Sequence, residues 1–303
     1  MRFPAKYLRL AFLISLILSA LIYPSAWAEE KSPLKLLHSD TYEYIRGLLR
    51  DTIFITGSVA FEHGATALQA DTAIWIKGQS IILHDHVYVE DSLYMLSADW
   101  LEYNINPAIA RAYGDTVILI SKADSLMAVG DNAYFCRDSS IFRMHHSPMI
   151  YLNYQDTGRI TQINADSITL NTAEKIAYAY GQVIISQLET ECRSDRAVMY
   201  LDDEVLLLLE NPVAQRKKSK ITGDTLILIA EDRKLNQINA FGNAFGDFRE
   251  PTEKDSTLYD NFELKASEIR FDLEDQILRR VTAANQAYSF YPVSYTHLRA
   301  HET

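Results

Sequence analysis

From residue 51 onward, apolar and polar residues alternate, and the alternation is punctuated by one signal. A small or turn residue followed by Asp recurs at Ala70-Asp71, Ala98-Asp99, Gly130-Asp131, Ala165-Asp166, Ser194-Asp195 and Gly223-Asp224, with a degenerate copy at Ala266-Ser267. The spacings are 28, 32, 35, 29, 29 and 43 residues. The second and fourth residues after each signal are apolar: Ala73/Trp75, Leu101/Tyr103, Ala133/Phe135, Ile168/Leu170, Ala197/Met199, Leu226/Leu228 and Ile269/Phe271. A period of two with one apolar face predicts a strand buried on one side. A second strand is expected between successive signals, opening at a turn residue: Gly57 before Val59/Phe61, Asp85 before Val87/Val89, Gly114 before Val117/Leu119, Gly181 before Val183/Ile185, and Pro212 before Val213. Each unit then comprises two strands, and the N-terminal sheet edge falls near Asp51 to Phe61. The copy at Pro148-Met149-Ile150-Tyr151 is the least regular, and the longest interval holds a polar loop, Arg249 to Ser256.

The units are longer than those of parallel β-helices, which favours antiparallel hairpins of about 30 residues wrapped into an open β-jelly roll. The fold class read from the chain is therefore all-β. Inward side chains of such a roll form an apolar interior along its whole length. Whether that interior is a closed core or a ligand groove is open at this point.

The N-terminus reads as a secretory signal: Arg2, Lys6 and Arg9, then an apolar stretch from Leu10 to Tyr23, then Ala26-Trp27-Ala28 as a small-x-small cleavage site. Export with cleavage after Ala28 is expected, leaving residues 29–293 as the roll. The final segment, 294–303, breaks both period and composition and reads as a non-native tail, with the native C-terminus missing. The chain of 303 residues carries 29 Lys+Arg against 40 Asp+Glu, a net charge of −11, and its first 28 residues contain no acid. Such acidity disfavours nucleic-acid binding, which rests on neutralising phosphates, and repels anionic membrane surfaces. The two cysteines, Cys136 and Cys192, are separated by 56 positions, and their spacing does not say whether they pair.

Motifs for catalysis are missing: there is no GxSxG, no Gly-rich phosphate loop and no HExxH. The repeated Asp reads as a turn former, and no cofactor or metal is expected. His84 and His86 are expected on one strand face, exposed to solvent, and His145 and His146 on opposite faces. The basic run Arg216 to Lys220 reads as a solvated hairpin turn, with lipid phosphate contact as the functional alternative.

The strands Ala70-Asp-Thr-Ala-Ile-Trp75, Ala98-Asp-Trp-Leu-Glu-Tyr103 and Ala165-Asp-Ser-Ile-Thr-Leu170, with Gly57-Ser-Val59 and Gly181-Gln-Val183 between them, resemble the OstA-like family. That family includes periplasmic lipopolysaccharide-transport proteins of the LptA type and the N-terminal domain of LptD. The resemblance runs from about Asp51 to Phe290. It implies a periplasmic bridge protein without enzymatic activity, whose apolar groove carries lipid A acyl chains. The implied partners are lipopolysaccharide or a related glycolipid, other OstA-like transport proteins joined through edge strands, and copies of itself joined end to end. The groove lining it implies is Val59, Phe61, Trp75, Val87, Val89, Leu101, Tyr103, Val117, Leu119, Phe135, Leu170, Val183, Ile185, Met199 and Leu228. The alternative is an extracytoplasmic β-solenoid acting as a polysaccharide-active enzyme or adhesin.

Overall fold

The computed structural model describes residues 33–122, 125–156, 160–231, 234–251, 259–274 and 277–290. The signal sequence and its cleavage site, most of the polar insertion and the C-terminal tail lie outside these residues. Among the described residues the chain is all-β, with 22 strands joined almost entirely as antiparallel hairpins.

The strands are longer than the alternation predicts, and most of the long ones bend in the middle. Thr52–His63, for example, pairs with Thr66–Ile76 over its whole length, but the register breaks between Thr56 and Val59. Comparable breaks recur between Gln69 and Thr72, His84 and Val87, Ser97 and Trp100, Tyr113 and Val117, Tyr180 and Val183, and Phe241 and Ala244. At each break the strand turns a corner and passes from one sheet into a second. Elsewhere the corner separates distinct strands, as with Ile141–His145 and Met149–Leu152, Thr161–Asn164 and Ser167–Asn171, Val205–Leu209 and Val213–Arg216, and Ser219–Thr222 and Thr225–Glu231. The corners align into a spine shared by the two sheets, and the hairpin turns form their free margins. The result is an open β-jelly roll, a folded sheet with an apolar inside face.

This geometry corrects the reading of strand starts. Gly57, Gly114 and Gly181 lie at mid-strand corners and not at the beginnings of strands. In the Asp strands the bulge shifts the inward set by one residue, from Leu68 and Ala70 to Ala73 and Trp75. A strict period of two therefore breaks at the Asp, so that one bent strand reads as a turn followed by a new strand.

The Asp residues do not form hairpin turns. Each sits at a corner, and its carboxylate serves the corner of the next strand. Asp99 accepts the backbone N–H of Asp115 at 2.8 Å, Asp195 the side-chain amide of Asn211 at 3.0 Å, and Asp224 that of Asn243 at 3.1 Å. His86 pairs with Asp71 at 2.8 Å and His146 with Asp131 at 3.3 Å. These corners need left-handed backbone, with φ of +82° at Gly57, +72° at Gly181 and +66° at Gly242. The Asp explains the Gly at three of them. A Cβ at Gly57, Gly181 or Gly242 would overlap the carboxylate of Asp40, Asp166 or Asp224 respectively. The recurrent Asp and the recurrent Gly are thus two halves of one contact between neighbouring strands.

The core follows the spine. The second residue after each signal is buried throughout: Ala73, Leu101, Ala133, Ile168, Ala197, Leu226 and Ile269 are all at most 6% exposed. Their partners across the fold include Val59, Val87, Val117 and Val183, each at most 1% exposed.

The N-terminal edge also differs from expectation. Lys35–His38 pairs with 60–62 in one sheet, and Thr41–Ile45 pairs with 52–56 in the other. The segment 51–61 is therefore covered on its outer side by two short strands. Every residue of Thr41–Ile45 is exposed, so the edge itself carries no buried side chain for a hydrophobic pattern to reveal. The insertion is likewise shorter than read, because Arg249 to Pro251 continue the strand Lys234–Pro251.

Candidate functional site

The candidate site is the cleft between the two sheets, opposite the spine. The fourth residue after the Asp lies one step farther from the corner than the second; in four units, at Trp75, Tyr103, Phe135 and Met199, it is half-buried while packed against the core, whereas Leu170, Leu228 and Phe271 at the same position are buried. Val89 and Leu119 of the facing sheet occupy the same level. The remaining residues implied for the groove, Val59, Phe61, Val87, Leu101, Val117, Leu170, Val183, Ile185 and Leu228, are buried. All fifteen belong to one continuous apolar cluster on the inside of the roll.

That cluster is not uniform along its length. At the N-terminal end aromatic rings fill the cleft. Phe61 meets Trp75 edge to face at 5.7 Å, and the imidazole of His63 and the hydroxyl of Tyr103 share a hydrogen bond of 2.9 Å across the mouth. At the C-terminal end Phe248 stacks on Phe262 at 4.4 Å and touches Phe271 at 5.3 Å, again closing the space between sheets. Between them lies a cavity of about 370 Å³. Its apolar wall includes Ile185, Cys192, Met199, Leu206, Leu228 and Leu235, and its rim is polar, with Asn153, Gln187, Thr190, Asp202 and Glu204. Of the residues the resemblance implied, only Ile185, Met199 and Leu228 line this cavity. The others pack the spine or the N-terminal part of the cleft.

Leu126, Cys192, Leu206 and Leu235 were missed as lining residues. Leu126 and Cys192 precede a corner, where the inward set has opposite parity to the residues that follow it, and Leu235 lies beyond a further register break, opposite Ile229 and Ala230, that puts it out of step with Ile238 and Ala240. Leu206 lies in Val205–Leu209, an almost wholly leucine strand whose two faces look alike in sequence.

The cavity wall holds one thiol. Cys192 is buried in its wall, and burial raises its thiol to about 12. Cys136 lies near the surface at the end of Leu126–Cys136, where hydrogen bonds from Ser139 lower its pKa. Both are free thiols. At pH 8 the folded protein is expected to take up one equivalent of a thiol-alkylating reagent at Cys136 within minutes, with Cys192 reacting only after denaturation; peptide mass mapping before and after adding guanidinium checks this. Prompt labelling of Cys192 in the native protein would mean that its wall opens.

The histidines do not form the expected same-face pair. His84 lies on the outer face with its Nε2 accepting the indole N–H of Trp100 at 3.2 Å, whereas His86 is carried round the corner to Asp71, which raises its pKa. Among the described residues no group of three or more His, Cys, Asp or Glu side chains is arranged to hold a metal. The basic run forms a hairpin turn between Val213–Arg216 and Ser219–Thr222, with Arg216 and Lys217 held by Glu189 at 3.9 and 3.1 Å.

No family model matches the chain, and no curated protein matches it. Among solved structures it is similar to LptH, the LptA homologous periplasmic component of the conserved lipopolysaccharide transport device from Pseudomonas aeruginosa. That match has 9% identity and a TM-score of 0.19, and covers 59% of this chain and 83% of LptH. The fold of this chain rests on its own strand pairing.

Proposed function

We propose that the protein is an exported carrier that holds the acyl chains of a glycolipid between its two sheets, as a component of lipopolysaccharide transport across the periplasm. The observation that carries this reading is the cavity of about 370 Å³ inside a sheet-lined apolar cleft. Acyl chains need a dry, continuous apolar surface and no reactive group, and their head groups need a polar exit. The wall of Ile185, Met199, Leu206 and Leu228 supplies the first, and the rim of Gln187, Asp202 and Glu204 the second. Among the described residues Thr41–Ile45 and Tyr288–Phe290 each pair with a strand on one side only, which leaves the other side for a partner sheet.

The test is mass spectrometry of lipid extracted from protein recovered from the periplasm. A stoichiometric glycolipid, displaced by added lipopolysaccharide, is the expected result. Protein that retains no lipid and binds none when titrated with lipopolysaccharide would leave the cleft as a packing defect and overturn the proposal.

A further inference from the structure

The turn between Thr41–Ile45 and Thr52–His63 exposes its most apolar residues completely. Leu48 and Leu49 are 107% and 97% exposed, and the adjoining Tyr42, Tyr44 and Ile45 are also large and exposed. Leucines at other turns, such as Leu93 and Leu188, are exposed singly. Two adjacent leucines with no contact are costly to keep in water, because nothing in the fold repays their hydration.

The charges around them are mainly basic. Arg46 and Arg50 flank the leucines, and Lys77 from the next hairpin lies over the ring of Tyr44 at 5.2 Å. The acids nearby are Glu43, which is exposed, and Asp51, which accepts the Tyr44 hydroxyl at 2.5 Å. The tip is thus locally basic on a chain of net charge −11. Apolar residues at the extreme point, arginines beside them and tyrosines one step behind form the order in which side chains sit across a bilayer interface.

We infer that the turn Arg46–Arg50 is a membrane-contact tip that inserts Leu48 and Leu49 into the surface of an anionic bilayer. Charge complementarity selects this occupant over a protein groove. The arginines meet lipid phosphates, while the acidic remainder of the roll is repelled from the same surface and so keeps this end turned toward it. The tip stands on the free margin of its sheet, the same margin that bounds the cleft. Insertion therefore brings the N-terminal mouth of the cleft to the lipid surface.

The experiment places an environment-sensitive NBD fluorophore at the tip, through Leu49→Cys in a Cys136→Ser background, with a second protein labelled at Ser139→Cys on a distant turn. Vesicles of phosphatidylcholine with one quarter phosphatidylglycerol are added. A blue shift at position 49, quenched by bilayer-brominated lipid and lacking at position 139, is the expected result. Leu48→Asp in the labelled protein should weaken the response at least about tenfold, and Arg46→Ser with Arg50→Ser should remove its dependence on phosphatidylglycerol. No spectral change at position 49 on adding vesicles would overturn the inference. So would a blue shift that appears without vesicles and grows with protein concentration, since the tip would then be covered by a second copy. Both labels report locally, so lipid retained in the cleft does not affect the outcome, and failure of the tip leaves the carrier proposal standing.

Discussion

Gly181→Ala is expected to cost about 2–4 kcal/mol, several times the cost of Gly78→Ala, although both glycines have φ of +72°. The left-handed backbone alone accounts for about 1 kcal/mol at either site. The difference comes from the neighbour. A Cβ at Gly181 runs into the Asp166 carboxylate of the adjacent strand, whereas at Gly78 it meets nothing within 4 Å. The overlap pushes apart two strands at the spine, where the core is most tightly packed. Differential scanning calorimetry of both variants measures this, with a fall of roughly 5–10 °C expected for Gly181→Ala. Adding Asp166→Ala to Gly181→Ala should recover part of the loss, because the carboxylate that obstructs the Cβ is gone. Equal costs at Gly181 and Gly78 would show that the corner contact contributes nothing beyond backbone strain.

Met199→Asp is expected to abolish lipid retention, by at least about tenfold in occupancy, while leaving the melting temperature near that of the parent. Its neighbour Ala197→Asp is expected to unfold the protein. The two residues share one strand and one face, and only depth separates them. Ala197 is 3% exposed beside the spine, so an Asp there has neither water nor a partner. Met199 lines the cavity and is half-buried, so an Asp can reach the mouth at the expense of the apolar wall. Met199→Leu keeps the volume and should keep the lipid. Thermal melts and extracted lipid, measured on the same preparations, separate the outcomes. Unfolding of Met199→Asp would mean that position 199 belongs to a closed core, and an intact protein with undiminished lipid would place the acyl chains elsewhere.

The alternation and the recurring Asp determined much of this protein without any structure. Because side chains of a strand alternate between faces, the residues two and four positions after each Asp had to share one side, and all seven pairs lie inside the roll. Length and regularity of the units then made antiparallel hairpins the economical arrangement. Local pattern could not reveal the corners. A bulge shifts parity by one residue, so Leu68 and Ala73 appear to face opposite ways in sequence although both are buried on the same side. The meaning of Asp166 and Gly181 was hidden for a related reason, since their contact joins strands that only the sheet register makes neighbours. The cavity, too, belongs to tertiary structure alone. Trp75, Tyr103, Phe135 and Met199 occupy equivalent positions in the repeat, yet rings and a hydrogen bond fill the cleft near Trp75 and Tyr103, while space remains at Met199. Where two apolar faces fit closely they form a core and where they stand apart they leave room for a ligand, and that fit depends on side chains far apart in the chain.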